Sequence, residues 1–119
     1  MKSPETIKGY HAHIYFDAET LARARAVIDA ACEAFPVERG RIHEKEVGPH
    51  PMWSCQLGAS AEVFADLLPW LALNRDGLIV FCHPDTGDVW ADHTEHPIWL
   101  GGFPPLRLKV LEGFLAQQS

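Results

Sequence analysis

The stretch at residues 10–16 (YHAHIYF) constrains the fold most, because it has the alternation typical of a β-strand with two different faces. One face is apolar and carries Tyr10, Ala12, Ile14 and Phe16. The other face carries two imidazoles and a phenol, from His11, His13 and Tyr15. These polar groups either lie exposed on the surface of a sheet or form the wall of a metal or proton-transfer site. Five further histidines, several of them beside proline or glycine turns, favour the second interpretation.

The length of 119 residues predicts a single domain, residues 1–119, with a hydrophobic core of its own. The net charge is −6 with histidine neutral, and no basic run occurs. This balance argues against a nucleic-acid partner, because phosphate binding needs a basic patch. The apolar runs are too short to cross a membrane, so no membrane partner is expected.

A cytoplasmic location is expected for this chain, because residues 1–9 contain no apolar signal core. Cysteine usage agrees with that location. The three cysteines are odd in number and far apart, with no C-x-x-C pair: Cys32, Cys55 and Cys82. They are expected to be small, reduced core residues, and a cysteine metal ligand is the alternative.

Hydrophobic periodicity and turn residues predict six main elements in the order β-α-β-β-α-β. The strands are expected at residues 10–16, 37–47, 52–57 and 78–82. The helices are expected after residue 20 and after Ser60, with Pro69 kinking or restarting the second one. A short returning strand at 89–92 and a helix at 106–115 would form a C-terminal extension.

This order predicts an α+β, ferredoxin-like βαββαβ sandwich, with a four-stranded antiparallel sheet and two helices on one face. The spatial strand order 4-1-3-2 places the first strand in the centre and the charged second strand at the edge. The imidazoles of His11 and His13 then point to the open face, where His50 and His83 converge on them. An open apolar face seldom stays bare, so either a homodimer or coverage by the C-terminal segment is expected.

Six short motifs together resemble the DOPA 4,5-dioxygenase family of small ferredoxin-like proteins. They are HAHIYF at 11–16, GPHPM at 48–52, NR at 74–75, HPDTGD at 83–88, DHT at 92–94 and WLG at 99–101. Each motif is weak alone, but their order and spacing are specific and span about residues 10–111. The resemblance implies metal-dependent extradiol cleavage of a catechol ring, such as that of DOPA, by O2.

Such chemistry implies a divalent metal, Fe(II) first and Zn or another divalent ion second. The predicted ligands are His11 or His13 together with His50 and His83, and we assign His11 to the metal. His13 and His93 are then the predicted acid–base residues, since imidazole titrates near neutral pH. A carboxylate ligand is left open among Glu44, Asp88 and Asp92, because none has a diagnostic spacing.

Four residues are predicted to bind the aromatic substrate: Tyr15, Arg75, His96 and Trp99. Arg75 would pair with a substrate carboxylate, or it lies in a surface turn. His96 would line the mouth of the pocket, or it lies in a polar loop. Trp99 would form a wall of the pocket, or it is a core or dimer contact.

Two other function classes stay open at this point. A dimeric α+β barrel type monooxygenase would share the sheet architecture and would hold no stoichiometric metal. A non-enzymatic module that binds a metal or a small aromatic molecule would hold the metal but consume no O2. Metal content and O2 uptake therefore separate the three classes.

Overall fold

The computed structural model describes the backbone of residues 1–118 and the side chains of residues 1–117. In this part of the chain, a short 3-10 turn at Pro4–Thr6 precedes five strands and four helices. In chain order they are β1 (Gly9–Phe16), α1 (Leu21–Ala34), β2 (Glu38–His43), β3 (Trp53–Ala59), α2 (Ala61–Asn74), β4 (Ile79–Asp85), α3 (Val89–Thr94), β5 (Ile98–Leu100) and α4 (Leu108–Gln118).

The strands form one antiparallel sheet in the order β2-β3-β1-β4-β5. The predicted α+β class and the central position of β1 between β3 and β4 are confirmed. The exposed, charged strand β2 lies at one edge, as predicted. The prediction of a four-stranded sheet is wrong, because β5 adds a fifth strand beside β4.

The apolar face of β1 lies in the hydrophobic core. Ala12, Ile14 and Phe16 are fully buried, and they belong to one core with buried side chains of α1 and α2, namely Ala24, Val27, Ile28, Ala31, Phe64, Leu67 and Leu71. Tyr10 stacks on Phe64 with a distance of 4.1 Å between ring centroids. The alternation of residues 10–16 therefore predicted correctly which face is apolar and buried.

Strand β4 continues past the predicted end at residue 82 and runs through Pro84 to Asp85. Strand β5 pairs with β4 only from Val80 to Cys82. At Pro84 the outer side of β4 is therefore an edge, which is a position that tolerates the missing N–H of proline. His83 consequently lies inside a paired strand, and its neighbours are fixed by the register of the sheet.

The predicted strand at residues 89–92 is wrong, since these residues begin the helix α3. The Asp88 carboxylate accepts a hydrogen bond from the Ala91 amide at 3.0 Å and so caps the first turn. Ser60 caps α2 in the predicted way, through a 3.2 Å bond from the Val63 amide. The helix does not restart at Pro69, because α2 is one helix from Ala61 to Asn74.

The second face of the sheet, which carries His11, His13 and Tyr15, is partly covered by the C-terminal segment. The Arg107 amide donates to the Pro49 carbonyl at 2.7 Å, which ties the segment to the loop before β3. Tyr15 and Phe81 on this face are 1% and 0% exposed. Trp99 of the C-terminal segment contacts both rings, with centroid distances of 6.2 and 4.5 Å, so this segment supplies part of the covering expected from the sequence. Among the described helices, none has the length and apolarity needed to cross a bilayer.

Candidate metal centre

Three imidazoles meet on the second face of the sheet, where β1 and β4 run side by side. The antiparallel register places His11 directly opposite His83 and His13 opposite Phe81. Residues i and i+2 of a strand share a face, so His11 and His13 both reach His83. One ring nitrogen from each of the three residues lies within 4.8 Å of the other two.

The spacing of the two most buried imidazoles suits a shared metal ion. Nε2 of His13 and Nε2 of His83 lie 3.1 Å apart. Two histidine nitrogens that bind one ion at about 2.1 Å lie about 3.0 Å apart at the right angle of an octahedral site and about 3.4 Å apart at the tetrahedral angle. The Nδ1–H of His83 donates to the Pro84 carbonyl at 2.9 Å, so its Nε2 lone pair faces His13. The donor set therefore fits the divalent metal expected from the sequence.

The imidazoles of this cluster are held in the neutral form that a ligand needs. Burial, together with the neighbouring imidazoles, lowers the pKa of His13 well below its ordinary value. Burial is also the main reason why the pKa of His83 falls to about 4. Burial lowers the pKa of the half-buried His11, against an opposing effect of the Asp85 carboxylate.

The three imidazoles form part of the wall of a cavity of about 320 Å³, a size within the range of small-molecule sites. Besides the three, its lining residues are His50, Gln56, Asp85, Val89, Asp92 and His93. Five histidines from two strands, one loop and one helix thus surround a single space. This convergence is the main chemical feature of the described part of the chain.

His50 lines the cavity beside His13, and their ring centroids are 4.2 Å apart. Its Nδ1 is hydrogen-bonded to the Tyr15 hydroxyl at 2.7 Å, which leaves Nε2 as its free ring nitrogen. Burial is the main cause that lowers the pKa of His50 to about 4. The sequence predicted His50 as a ligand and His13 as the acid–base group. The structure places His13 in the cluster of three and His50 next to it.

His93 reaches the cavity from α3, and its ring centroid is 4.4 Å from that of His83. Its Nδ1–H donates to the Val89 carbonyl at 2.7 Å, one helical turn earlier. Helix α3 is fixed to the end of β4 by the buried Asp92, which accepts hydrogen bonds from the Thr86 amide and hydroxyl at 2.9 and 2.6 Å. His93, which was predicted as an acid–base residue, therefore lies at the cavity, and its role stays a prediction.

Of the three candidate carboxylates, Asp92 alone lines the cavity, and both of its oxygens are engaged by Thr86. Glu44 is exposed, and Asp88 caps α3. Asp85 also lines the cavity and was missed at the sequence level. The signal was its i+2 spacing from His83, but Pro84 was interpreted as the end of the strand. Among the described residues, no carboxylate joins the cluster of three imidazoles.

The predicted substrate-binding residues are dispersed. Arg75 donates to the Leu78 carbonyl at 3.0 Å in the turn before β4, and it does not line the cavity. His96 lines a different cavity, beside the N-terminal segment. Trp99 stacks on Phe81 at 4.5 Å and flanks an adjoining cavity of about 270 Å³ that His93 also lines. Tyr15 is buried against His50.

Two curated proteins are similar in sequence to this chain. The chain is 32% identical over 116 residues to the DOPA 4,5-dioxygenase of Amanita muscaria, covering 88% of this chain and 50% of that protein. It is 30% identical to an uncharacterized 21.2 kDa protein of Botryotinia fuckeliana, covering 92% of this chain and 67% of that protein. The chain thus spans about half of the length of the Amanita relative.

A solved structure shows the same architecture. It is the crystal structure of a candidate dioxygenase from Nostoc punctiforme, which superimposes with a TM-score of 0.84 at 36% identity. The match covers 96% of this chain and 99% of the Nostoc chain. The model of the Dopa 4,5-dioxygenase family matches residues 10–110, a range that contains every histidine of the cavity. The chain belongs to the Dopa 4,5-dioxygenase family.

Proposed function

We propose that this protein is a metal-dependent extradiol dioxygenase that cleaves the ring of a catechol with O2. The observation that carries the proposal is that one ring nitrogen from each of His11, His13 and His83 lies within 4.8 Å of the other two on one wall of a cavity. Family membership supports dioxygenase chemistry for this cavity. The Amanita relative is named for DOPA, so a DOPA-like catechol is the first substrate class to test.

The proposed metal ligands are the three clustered imidazoles, with His13 in place of the His50 that was expected from the sequence. Fe(II) is the proposed ion, since partly open histidine sites of this metal activate O2. Bound Fe(II) would supply the positions at which a catechol and O2 react. His50 and His93 remain available to contact the substrate, because neither belongs to the cluster of three.

The lining of the cavity fits a small diol rather than a highly charged substrate. Its ionisable groups other than histidine are the carboxylates Asp85 and Asp92, and no lysine or arginine lines it among the described residues. Phe81 is fully buried behind the cavity wall, and its ring centroid lies 5.3–6.1 Å from those of four cavity imidazoles, His13, His50, His83 and His93. A wall of imidazole rings offers an aromatic substrate stacking and edge contacts.

The decisive experiment is anaerobic loading with Fe(II), followed by O2 consumption across a panel of catechols. The protein should be purified without a histidine tag, so that metal content reports on the site alone. We expect one metal per chain and O2 uptake with at least one catechol. Metal binding without uptake would indicate a binding module, and absence of stoichiometric metal would favour the monooxygenase alternative.

Single substitutions locate the site. His13→Ala and His83→Ala should each lose most of the metal, because each removes one of three ligands. His43→Ala is the matched control, since His43 is a half-buried histidine outside the cavity. If His13→Ala retains full metal content while His50→Ala loses it, the ligand set predicted from the sequence is the correct one.

A further inference from the structure

Two further imidazoles, those of His50 and His93, flank the cluster of three. Each has its Nδ1 in a hydrogen bond, but the partner groups are of different kinds. His93 lies beside His83, and its Nδ1 is bonded to a backbone carbonyl. His50 lies beside His13, and its Nδ1 is bonded to a phenol. Because a carbonyl only accepts hydrogen bonds and a phenol also donates them, the partners determine which nitrogen of each ring carries the hydrogen.

The tautomer of His93 follows from its partner alone. The Val89 carbonyl can only accept, so Nδ1 of His93 carries the hydrogen in their 2.7 Å bond. In the neutral ring, Nε2 then holds a lone pair. Nδ1 is engaged within α3, so Nε2 is the nitrogen left for a ligand in the cavity that His93 lines. His93 is therefore a hydrogen-bond acceptor toward a bound molecule.

The tautomer of His50 follows from the surroundings of Tyr15. The phenol is 1% exposed, and burial raises its pKa, so it keeps its proton. Among the described residues, His50 is the one hydrogen-bond partner recorded for this hydroxyl. If Nδ1 of His50 donated to the phenol oxygen, the hydroxyl hydrogen would be buried without an acceptor, which disfavours that arrangement roughly 5- to 150-fold. Tyr15 therefore donates, and Nδ1 of His50 accepts.

We propose that Tyr15 is a positioning residue that fixes His50 as the Nε2–H tautomer, so that His50 is the hydrogen-bond donor of the cavity and His93 its acceptor. This inference rests on the proposed function for the identity of the ligand. A catechol has two neighbouring oxygens. One hydroxyl would donate to Nε2 of His93, and the second oxygen would accept from Nε2–H of His50. Because His93 accepts a hydrogen bond and His50 donates one, the two rings favour a catechol with one hydroxyl and one deprotonated oxygen, bound in one orientation.

The tautomers can be measured in the metal-free protein, without any assumption about activity. Two-bond 1H–15N correlation spectra of protein labelled at histidine distinguish a protonated from an unprotonated ring nitrogen. His50→Gln and His93→Gln, each lacking one set of signals, assign the two rings. We expect His50 to be protonated at Nε2 and His93 at Nδ1. A hydrogen on Nδ1 of His50 would overturn the proposal.

Tyr15→Phe tests the positioning role, with Tyr10→Phe as the matched control. Both changes remove one phenol from β1, but Tyr10 lies on the opposite face, stacked on Phe64. The signals of His50 should change in Tyr15→Phe, with loss of the hydrogen bond at Nδ1. They should be unaltered in Tyr10→Phe. Unchanged His50 signals in Tyr15→Phe would also overturn the proposal.

Ligand binding completes the test, with 4-nitrocatechol titrated into protein loaded with Zn2+, which binds the ligand without redox turnover. Loss of about one hydrogen bond should weaken binding roughly 3- to 10-fold in Tyr15→Phe and in His50→Leu. His50→Gln keeps an N–H donor and should bind better than His50→Leu. Equal binding by wild type, Tyr15→Phe and His50→Leu would contradict the donor role. Failure of every catechol to consume O2 would instead refute the proposed function and leave the tautomer result intact.

Discussion

Acidification from pH 7.5 to pH 5 is expected to destabilise the metal-free protein through the buried imidazoles of the cavity, and the contribution of two of them can be worked out. The folded-state pKa is about 4 for both His50 and His83, against an ordinary value of 6.5. Burial is the largest cause in each case. At His83 the nearby imidazoles of His93 and His11 add to it, while the Pro84 carbonyl and Asp92 partly oppose it. At His50 the imidazoles of His93, His83 and His43 add to it.

The sign and the magnitude follow from proton linkage. Between pH 6.5 and pH 4 the unfolded chain binds more protons at these groups than the folded chain, so the free energy of unfolding falls as the pH falls. For one group with these two pKa values, the loss between pH 7.5 and pH 5 is about 2 kcal/mol. The pair should therefore cost about 4 kcal/mol, a large share of the 5–15 kcal/mol typical of a domain.

Urea unfolding, followed by tryptophan fluorescence at several pH values in the presence of a chelator, measures this loss. His83→Gln removes one of the two titrating groups, so its pH dependence should be smaller than that of the wild type by about 2 kcal/mol over the same interval. The comparison uses the change with pH, so a constant loss of stability in the variant does not affect it. Equal pH dependence in the two proteins would refute the reasoning.

Three further predictions concern the core, the metal and the surface. Leu67→Ala should lower the free energy of unfolding by about 2–5 kcal/mol, because the Leu67 side chain of α2 is fully buried in the core. A loss below about 1 kcal/mol in urea unfolding would contradict this. Zn2+ at about 100 times its dissociation constant should stabilise the wild type by about 2.7 kcal/mol in the same assay but leave His13→Ala unaffected. Phe103 and Phe114 of the C-terminal segment are 80% and 50% exposed, and we expect a homodimer that buries Phe114 and is dissociated by Phe114→Asp. A monomer by light scattering at micromolar concentration would exclude that dimer.

Local sequence patterns determined the fold class and the polarity of β1. Alternation with a period of two assigns each residue of a strand to a face, whichever strands lie beside it. The burial of Ile14 and the grouping of His11 with His13 were therefore predictable from residues 10–16 alone. The N-cap Ser60 was predictable for the same reason, because a cap involves only the next three residues.

Strand pairing and its register required the tertiary structure. Whether His83 lies opposite His11 or one residue away is decided by contacts between β1 and β4, which lie about 70 residues apart in the chain. A shift by one residue would move His83 to the other face of the sheet. The sequence identified the histidines that converge, but the register decides that His13 rather than His50 joins His11 and His83.

The remaining features depend on contacts between elements that no local pattern encodes. Pro84 is compatible with β4 because β5 begins opposite Cys82, so the extension of β4 to Asp85 depends on where another strand starts. The hydrogen bond from Tyr15 to His50 joins a strand to a loop 35 residues later. The sequence identified histidines that line one cavity. The packing of distant segments decided their spacing, their charge and the direction of their hydrogen bonds.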